Sequence, residues 1–524
     1  MRKLQIGIVD IVSKGPTRAL YARVMNANLA SIMPQVLGVW CRQLGHDVTL
    51  VCYTGFEDLL KELPATLDVL FIGAFTEAAH TAYALSNLFR SRGAVTVIGG
   101  PHARCYPEDA LQYFDYVLGF TDRETLLDVL QDCSQHRPLG VHLSAQRQPT
   151  ELPGVEERWE FIEPTLKKTP VLKMVPMLGS LGCPYTCSFC IDADVPYQPM
   201  DFTVLRDDLR FLLTRFKRPL VAWHDPNFGV RFDDYLDVIE DAAPPGSIDF
   251  AAESSLSLLS EPHLKRLRRN GFKAVLPGIE SWFALGGKSK TGALQGMDKV
   301  RQVAEHVNLI LRYIPYVQAN FVMGLDSDEG DAPFELTKRF LDLTPGVFPG
   351  YSLLTAFGRA AALNLEYQRA DRVLPFPFHL LNNNQAMNVK PMNYSWRDFY
   401  EQVIELTRYS FTWRTNLRRF GATQGMTSRW LNLVRAVSTE GLGRLKYYRE
   451  IRARLDTDRE FSPYFEQESG QLPAFYTNLV RKDLGSLWEW LPEGGMEHDP
   501  YAYLKSEQTA ASFVRVPLTR VAGI

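Results

Sequence analysis

The chain has 524 residues, 46% hydrophobic and 22% charged, enough for roughly two to four globular domains with sizeable cores. A net charge of −3 gives no general attraction to nucleic acid or to an anionic membrane surface. No uninterrupted apolar run approaches a bilayer-spanning length, and the N-terminal MRKLQIGIVDIV reads as a strand rather than a signal peptide, so a cytoplasmic protein without stable membrane insertion is expected.

The first third alternates apolar runs of strand length with helical spacing. Strands are predicted at 5–12, 46–51, 68–73, 94–100 and 116–119. Ile32, Val36, Val39, Trp40 and Leu44 mark a helix over 29–44, and further helices are predicted at 78–90 and 108–113. This alternation implies βαβ units and a doubly wound parallel sheet, with ligands beyond the carboxyl ends of the strands. The loops there are 73–76, 99–102 and 119–121. No G-x-G-x-x-G is present, so no dinucleotide is indicated. The stretch 141–170 is polar, carries scattered prolines and reads as a surface linker.

An apolar run at 171–178 then leads into Gly179-Ser-Leu-Gly-Cys183-Pro-Tyr-Thr-Cys187-Ser-Phe-Cys190. Three thiols within eight residues can point at one small object, and thiolates are soft ligands suited to iron–sulfur clusters or zinc. Three ligands rather than four leave one position open for substrate. The alternatives are a zinc knuckle completed by a distant His or Cys, which would make the chain a non-enzymatic scaffold, and simple buried thiols. The other cysteines, Cys41, Cys52, Cys105 and Cys133, are scattered, which argues against a disulfide framework and for a reducing compartment.

C-x-x-x-C-x-x-C with an aromatic, Phe189, before the last Cys resembles the signature of radical S-adenosylmethionine enzymes. The resemblance implies a [4Fe–4S] cluster on Cys183, Cys187 and Cys190. Its open iron binds S-adenosylmethionine, and one electron cleaves that sulfonium to a 5′-deoxyadenosyl radical. The first third is similar to the cobalamin-binding domain found ahead of such domains, through Pro34-Gln-Val-Leu37, Leu44-Gly-His-Asp-Val48, Gly99-Gly-Pro-His102 and Asp122-Arg-Glu-Thr-Leu-Leu127. Cobalamin would then lie against Gly73, Thr76, Gly99, Gly100, Pro101, His102 and Gly119. D-x-H-x-x-G is absent, which implies binding without a protein His below the cobalt. His102 could equally be a turn or capping residue.

Beyond the cysteines, strands are predicted at 220–223, 248–251, 274–277, 316–323 and 350–354, with helices at 233–242 and 261–270. Repeated βα units suggest a partly closed barrel with its site at the carboxyl strand ends. His224, Asp225, Asn227, Glu253, Ser254, Glu280 and Ser281 follow such strands. By resemblance, Glu280 and Asn320 hold the ribose hydroxyls, Lys290 (with Lys288 as rival) pairs with the methionine carboxylate, and Asp225 or Glu253 receives its ammonium. The Thr355–Arg359 stretch lacks the Pro-Gly pair frequent in the family.

After residue 363 aromatics become dense and helical spacing recurs at 396–411, 429–437, 442–455 and 474–484. These helices could cap the barrel mouth or form a solvated appendage, and Arg414, Arg418 and Arg419 read as a charged helix face. The whole is expected to be α/β: an N-terminal doubly wound Rossmann-like cobalamin-binding domain (1–140), a linker (141–170), a central partial (β/α) barrel of radical SAM type (171–362) and a mainly helical C-terminal domain (363–524). The expected activity is cobalamin-dependent methyl transfer to an unactivated carbon or phosphorus of a small-molecule or lipid-like substrate, with flavodoxin or ferredoxin as electron donor. A rearrangement, cyclisation or oxidation without methyl transfer is the rival.

Overall fold

Six apolar segments build a parallel sheet: β1 (Gln5–Ile11), β2 (Asp47–Tyr53), β3 (Val69–Ala74), β4 (Val95–Gly99), β5 (Tyr116–Leu118) and β6 (Val141–Leu143), in the order β2-β1-β3-β4-β5-β6. β1 is buried at every position but its first, as a central strand covered by helices on both faces requires. The chain reverses direction across the sheet between β1 and β3, which opens a crevice at their carboxyl ends. The computed structural model describes residues 2–504 apart from 18, 133–139, 146, 150, 194, 286–288, 290 and 503.

A second parallel sheet follows sequence order. β7 (Met174–Met177), β10 (Leu220–Trp223), β11 (Asp249–Ala252) and β12 (Phe272–Val275) lie side by side. Next comes β14 (Tyr316–Met323), which pairs first with β12 and then with β13 (Gly278–Glu280), and β15 (Phe348–Leu353) takes its other edge. Helices such as Phe232–Ala242, Glu261–Arg269 and Gly296–Tyr313 separate the strands. Sequential order with all strands parallel is the winding of a partial (β/α) barrel. The strand expected over 274–277 breaks at Leu276–Pro277, because Pro277 has no N–H for the ladder. Between β7 and β10, a short antiparallel pair, β8 (Ser180–Leu181) with β9 (Gln198–Pro199), closes the base of the cysteine loop.

The segment 141–170 is a correction to the surface-linker reading. It contributes β6 and the helix Val155–Lys168, which buries Val155, Phe161, Ile162 and Leu166. Glu156 and Glu157 in its first turn and Lys167 and Lys168 in its last complement the helix dipole. Arg158, also buried, donates to Gln35 Oε1 (2.7 Å) and so ties this helix to Ile32–Gln43 of the first sheet.

The later helices Trp396–Ser410 and Gly443–Thr457 pack on each other, and the first also lies against Ala332–Leu343 on the flank of the second sheet. A stretch preceding them reaches the carboxyl strand ends: Leu353 N–H donates to Asn383 O (2.6 Å), and Asn388 exchanges hydrogen bonds with the Ala356 backbone.

Candidate functional site

The loop between β8 and β9 carries Cys183, buried, and Cys187 and Cys190, half-buried. Gly182 opens it with φ +68, and an added Cβ would meet the Pro196 and Val195 carbonyls at 2.3 and 2.5 Å. Only glycine fits there. Cys183 N–H donates to Val195 O (3.2 Å) and Cys190 N–H to Cys187 O (2.9 Å), so the backbone returns on itself and gathers the thiols on one loop. None of the six described cysteines is in a disulfide; Cys133 lies outside the described residues.

Among the described residues, no three His, Cys, Asp or Glu side chains converge as a single metal ion requires. Three thiols on one short loop are the soft donor set that an iron–sulfur cluster takes.

Asp225, two residues past the end of β10, is buried, and both its carboxylate oxygens serve the strand entering this loop. They accept from Gly179 N–H (2.9 Å) and Ser180 Oγ–H (2.7 Å). Burial pushes its carboxyl up to about 6 despite these bonds. Asp225 therefore braces the cysteine loop, whereas Glu253, its rival for a ligand ammonium, has an exposed side chain. Tyr235 adds a hydroxyl bond to Gly179 O (2.6 Å).

Glu280 and Asn320 sit on neighbouring strands, with Gly278 opposite Asn320 in the register. Glu280 has φ +67, a left-handed conformation costing a non-glycine residue about 1 kcal/mol. Such strain gathers where a side chain must be aimed. Asn320 Oδ1 accepts from Gln318 (2.7 Å). Phe189 is half-buried beside the last two cysteines. Lys290 and Lys288 lie outside the described residues.

At the carboxyl ends of the first sheet lies a cavity of about 580 Å³. Gly73, Gly99, Gly100, Pro101 and Gly119 line it, with Phe71, Phe75 and Phe120. Gly100 has φ +93, and a Cβ there would meet the Ala74 backbone at 3.1 Å. A Cβ on Gly99 would meet nothing closer than Leu118, at 3.9 Å. Such a bare-backbone, apolar cradle fits a large flat ligand of corrinoid type. The far wall is Leu178, Leu181 and His224, so the cavity reaches the cysteine loop and the carboxyl end of β10.

Two expected lining residues turn away. Thr76 is buried outside the lining, and His102 is fully buried with Nε2 2.7 Å from the Tyr83 hydroxyl. The short helix Pro101–Cys105 carries the His102 ring into an aromatic core with Tyr106 and Phe378, and burial lowers it to about 3. It is a core histidine, which neither lines the cavity nor caps the helix.

Two residues escaped the sequence reading. Arg104 lines the cavity and pairs with Asp192 of the cysteine loop. Lys299, buried on the apolar face of Gly296–Tyr313, donates to the carbonyls of Ser281 and Ala284 and so shapes the turn after Glu280. A lysine in register with Val300, Val303 and Val307 was the available signal for it.

No protein-family model matches the chain. Among curated proteins it is similar to bacteriochlorophyllide d C-12(1)-methyltransferase of Chlorobaculum tepidum, 23% identical over 70% of this chain and 78% of the relative. It is also similar to the bacteriochlorophyllide d C-8(2)-methyltransferase of the same organism, 28% identical over 41% of this chain and half of that relative. Among solved structures, the radical S-adenosylmethionine methyltransferase TsrM from Kitasatospora setae, with cobalamin and a [4Fe–4S] cluster bound, superposes with TM-score 0.51 at 15% identity over 70% of this chain and 75% of TsrM. The cobalamin-dependent S-adenosylmethionine radical enzyme OxsB, with aqua-cobalamin bound, does so with TM-score 0.51 at 12% identity over 97% of this chain and 84% of OxsB. The chain has the fold of these enzymes: a Rossmann-like sheet, a partial barrel and a helical C-terminal region.

Proposed function

We propose that this chain is a cobalamin-dependent radical S-adenosylmethionine enzyme that methylates an unactivated carbon of a small molecule. One observation carries the reading: the glycine-cradled cavity of the first sheet and the three-cysteine loop of the second share a wall at Leu178, Leu181 and His224. This supports a reading in which two cofactor sites that must exchange a group are neighbours. When bound, the cluster, S-adenosylmethionine and cobalamin supply the electron, the hydrogen-abstracting radical and the methyl group.

The protein's part is positional. Cys183, Cys187 and Cys190 hold the cluster and leave one iron open, and Asp225 with Gly179 and Ser180 fixes the strand that presents them. Glu280 and Asn320, with Phe189, are the residues we assign to the nucleoside, Glu253 to the ammonium, and Lys290 or Lys288 to the carboxylate. Gly73, Gly99, Gly100, Pro101 and Gly119 cradle the corrinoid. The apolar lining keeps water from competing with the reaction. The unit 1–140 serves cobalamin, 171–362 the radical chemistry and 363–524 the flank. A reducing, cytoplasmic setting with a flavodoxin or ferredoxin donor completes the proposal.

Both curated relatives are named for methylation of bacteriochlorophyllide d, so chlorophyllide-type macrocycles are the first acceptors to test. With reductant and cobalamin, methyl transfer yields S-adenosylhomocysteine and 5′-deoxyadenosine together and a product heavier by one methylene. Deoxyadenosine with an unmethylated product would assign the rearrangement, cyclisation or oxidation class instead.

A further inference from the structure

Residues 412–437 fold as two helices, Trp413–Ala422 and Met426–Val437, whose sidedness is reversed. The side facing the protein is largely polar: Asn416, Arg419, Thr423 and Asn432 are buried, with Ala436 the apolar exception. Arg419 donates to the carbonyls of Val347 (2.7 Å) and Ser410 (2.9 Å) and to Asn416 Oδ1 (2.9 Å). Asn432 donates to Thr423 Oγ1 (3.0 Å), and Arg435 reaches Tyr316, Gln318 and Glu440. These bonds anchor the hairpin at the amino-terminal ends of β14 and β15, the end of the second sheet opposite the cysteine loop.

The solvent side is apolar. Trp413 and Leu417 on the first helix, and Met426, Trp430, Val434 and Val437 on the second, recur at helical spacing; Trp413 is 72% and Trp430 54% exposed. Phe420 meets Trp430 edge to face, ring centres 5.9 Å apart, and joins the two rows into one patch. Large side chains used this way do not serve the core, and a contiguous outward patch marks an interaction surface.

Charge narrows the partner. Residues 412–437 contain no Asp or Glu; of their five arginines Arg419 is buried and Arg435 is paired with Glu440, which leaves Arg414, Arg418 and Arg429 at the surface of a chain of net charge −3. Arg414 and Arg418 are exposed beside the apolar rows, the latter also resting on Asp342 (3.1 Å), and Arg429 lies over Phe420. The whole-chain balance, which offered no attraction to an anionic surface, conceals this local excess. Two protruding tryptophans among aliphatic side chains, rimmed by arginine, have the composition of a helix lying in a bilayer interface. Among the described residues no helix is long and apolar enough to cross a membrane, so the contact is peripheral. We propose that the 412–437 hairpin docks this protein on an anionic lipid surface, tryptophans inserted at the headgroup level, with the cysteine loop directed away.

The test is co-sedimentation of the full-length protein with vesicles of phosphatidylcholine, and of phosphatidylcholine mixed with phosphatidylglycerol. Binding is expected to the mixed vesicles, to fall severalfold as salt rises, and to fall about tenfold or more in Trp413→Ser/Trp430→Ser. Arg414→Glu should weaken binding to the mixed vesicles alone. Circular dichroism checks that the variants, altered only at exposed positions, remain folded. Failure of the parent to pellet with either vesicle, or undiminished pelleting of the double variant, overturns the proposal. So does a dimer that the double variant converts to monomer without any vesicle binding, which would make a second copy the occupant.

Discussion

Arg104 and Asp192 join the two halves of the candidate site. Both terminal guanidinium nitrogens lie 3.2 Å from Asp192 Oδ1, and Nη2 also donates to Ile191 O at 2.9 Å. The guanidinium lies 5.3 Å over Phe120, another cavity-lining residue. Asp192 in turn directs its own N–H at Cys190 Sγ, 3.5 Å away. A side chain of the cavity wall thus sets the backbone that bonds a candidate cluster ligand.

Arg104→Met should therefore release iron more than it destabilises the fold. The ion pair is partly exposed and contributes about 1 kcal/mol, so the melting temperature should drop by only a few degrees. Iron retained through anaerobic gel filtration should fall severalfold, with Arg104→Lys intermediate, since an ammonium cannot reproduce the forked contact. Unchanged iron in Arg104→Met would show that the clamp does not support the loop.

Asp225→Ala leaves two buried donors, Gly179 N–H and Ser180 Oγ–H, without their acceptor. The expected cost is about 3 kcal/mol of stability, with iron incorporation lowered in parallel. Asp225→Asn keeps one acceptor and should lose roughly half as much. Denaturant melts and iron analysis of both variants check this.

Gly100→Val places a branched side chain at φ +93 against the Ala74 backbone. Retention of added hydroxocobalamin should fall about tenfold or more, given a strain of about 2 kcal/mol on top of the filled cavity. Iron content should stay at the parent level, because Gly100 lies on the other side of the shared wall. Absorption spectra after desalting report both.

His80 is fully buried with neither ring nitrogen hydrogen-bonded among the described residues. It sits near His102, His379 and His498, and burial holds it well below the usual imidazole value. The folded state therefore takes up its proton less readily than the unfolded state, so stability is full above about pH 6.5 and lost as pH falls below it. At pH 5 the loss is about 2 kcal/mol. The buried carboxyls Asp10, Asp208 and Asp225, each raised to about 6, pull the opposite way. The readout is thus the variant minus the parent: His80→Leu should gain melting temperature relative to the parent at pH 5 and little at pH 7.5. An equal difference at both values would contradict the assignment.

Much of this was legible in the chain. Strands β10 and β14 are legible to the residue, because short apolar runs bounded by turns carry their own limits. The cysteine loop announced itself by spacing. The helix Val155–Lys168 did not: Pro149, Pro153 and Pro164 read as linker punctuation, yet Pro164 is accommodated within the helix. His102 reads as a lining candidate because its motif fixes the backbone turn, while the direction of the ring depends on Tyr83 and Phe378 from distant segments. Asp225 reads as a strand-end acid, but its two donors lie 45 and 46 residues away, beyond any local pattern. The reversed hairpin was hidden because helical periodicity shows that a face is apolar and not which way it points.

The most direct measurement is metal, sulfide and corrinoid analysis of protein purified anaerobically with cobalamin supplied, beside Cys187→Ala. The account predicts iron with acid-labile sulfide and bound corrinoid in the parent. The variant should keep the corrinoid, lose the iron–sulfur absorption and form no 5′-deoxyadenosine under reducing conditions. Zinc without sulfide in the parent, or deoxyadenosine from Cys187→Ala, would contradict it.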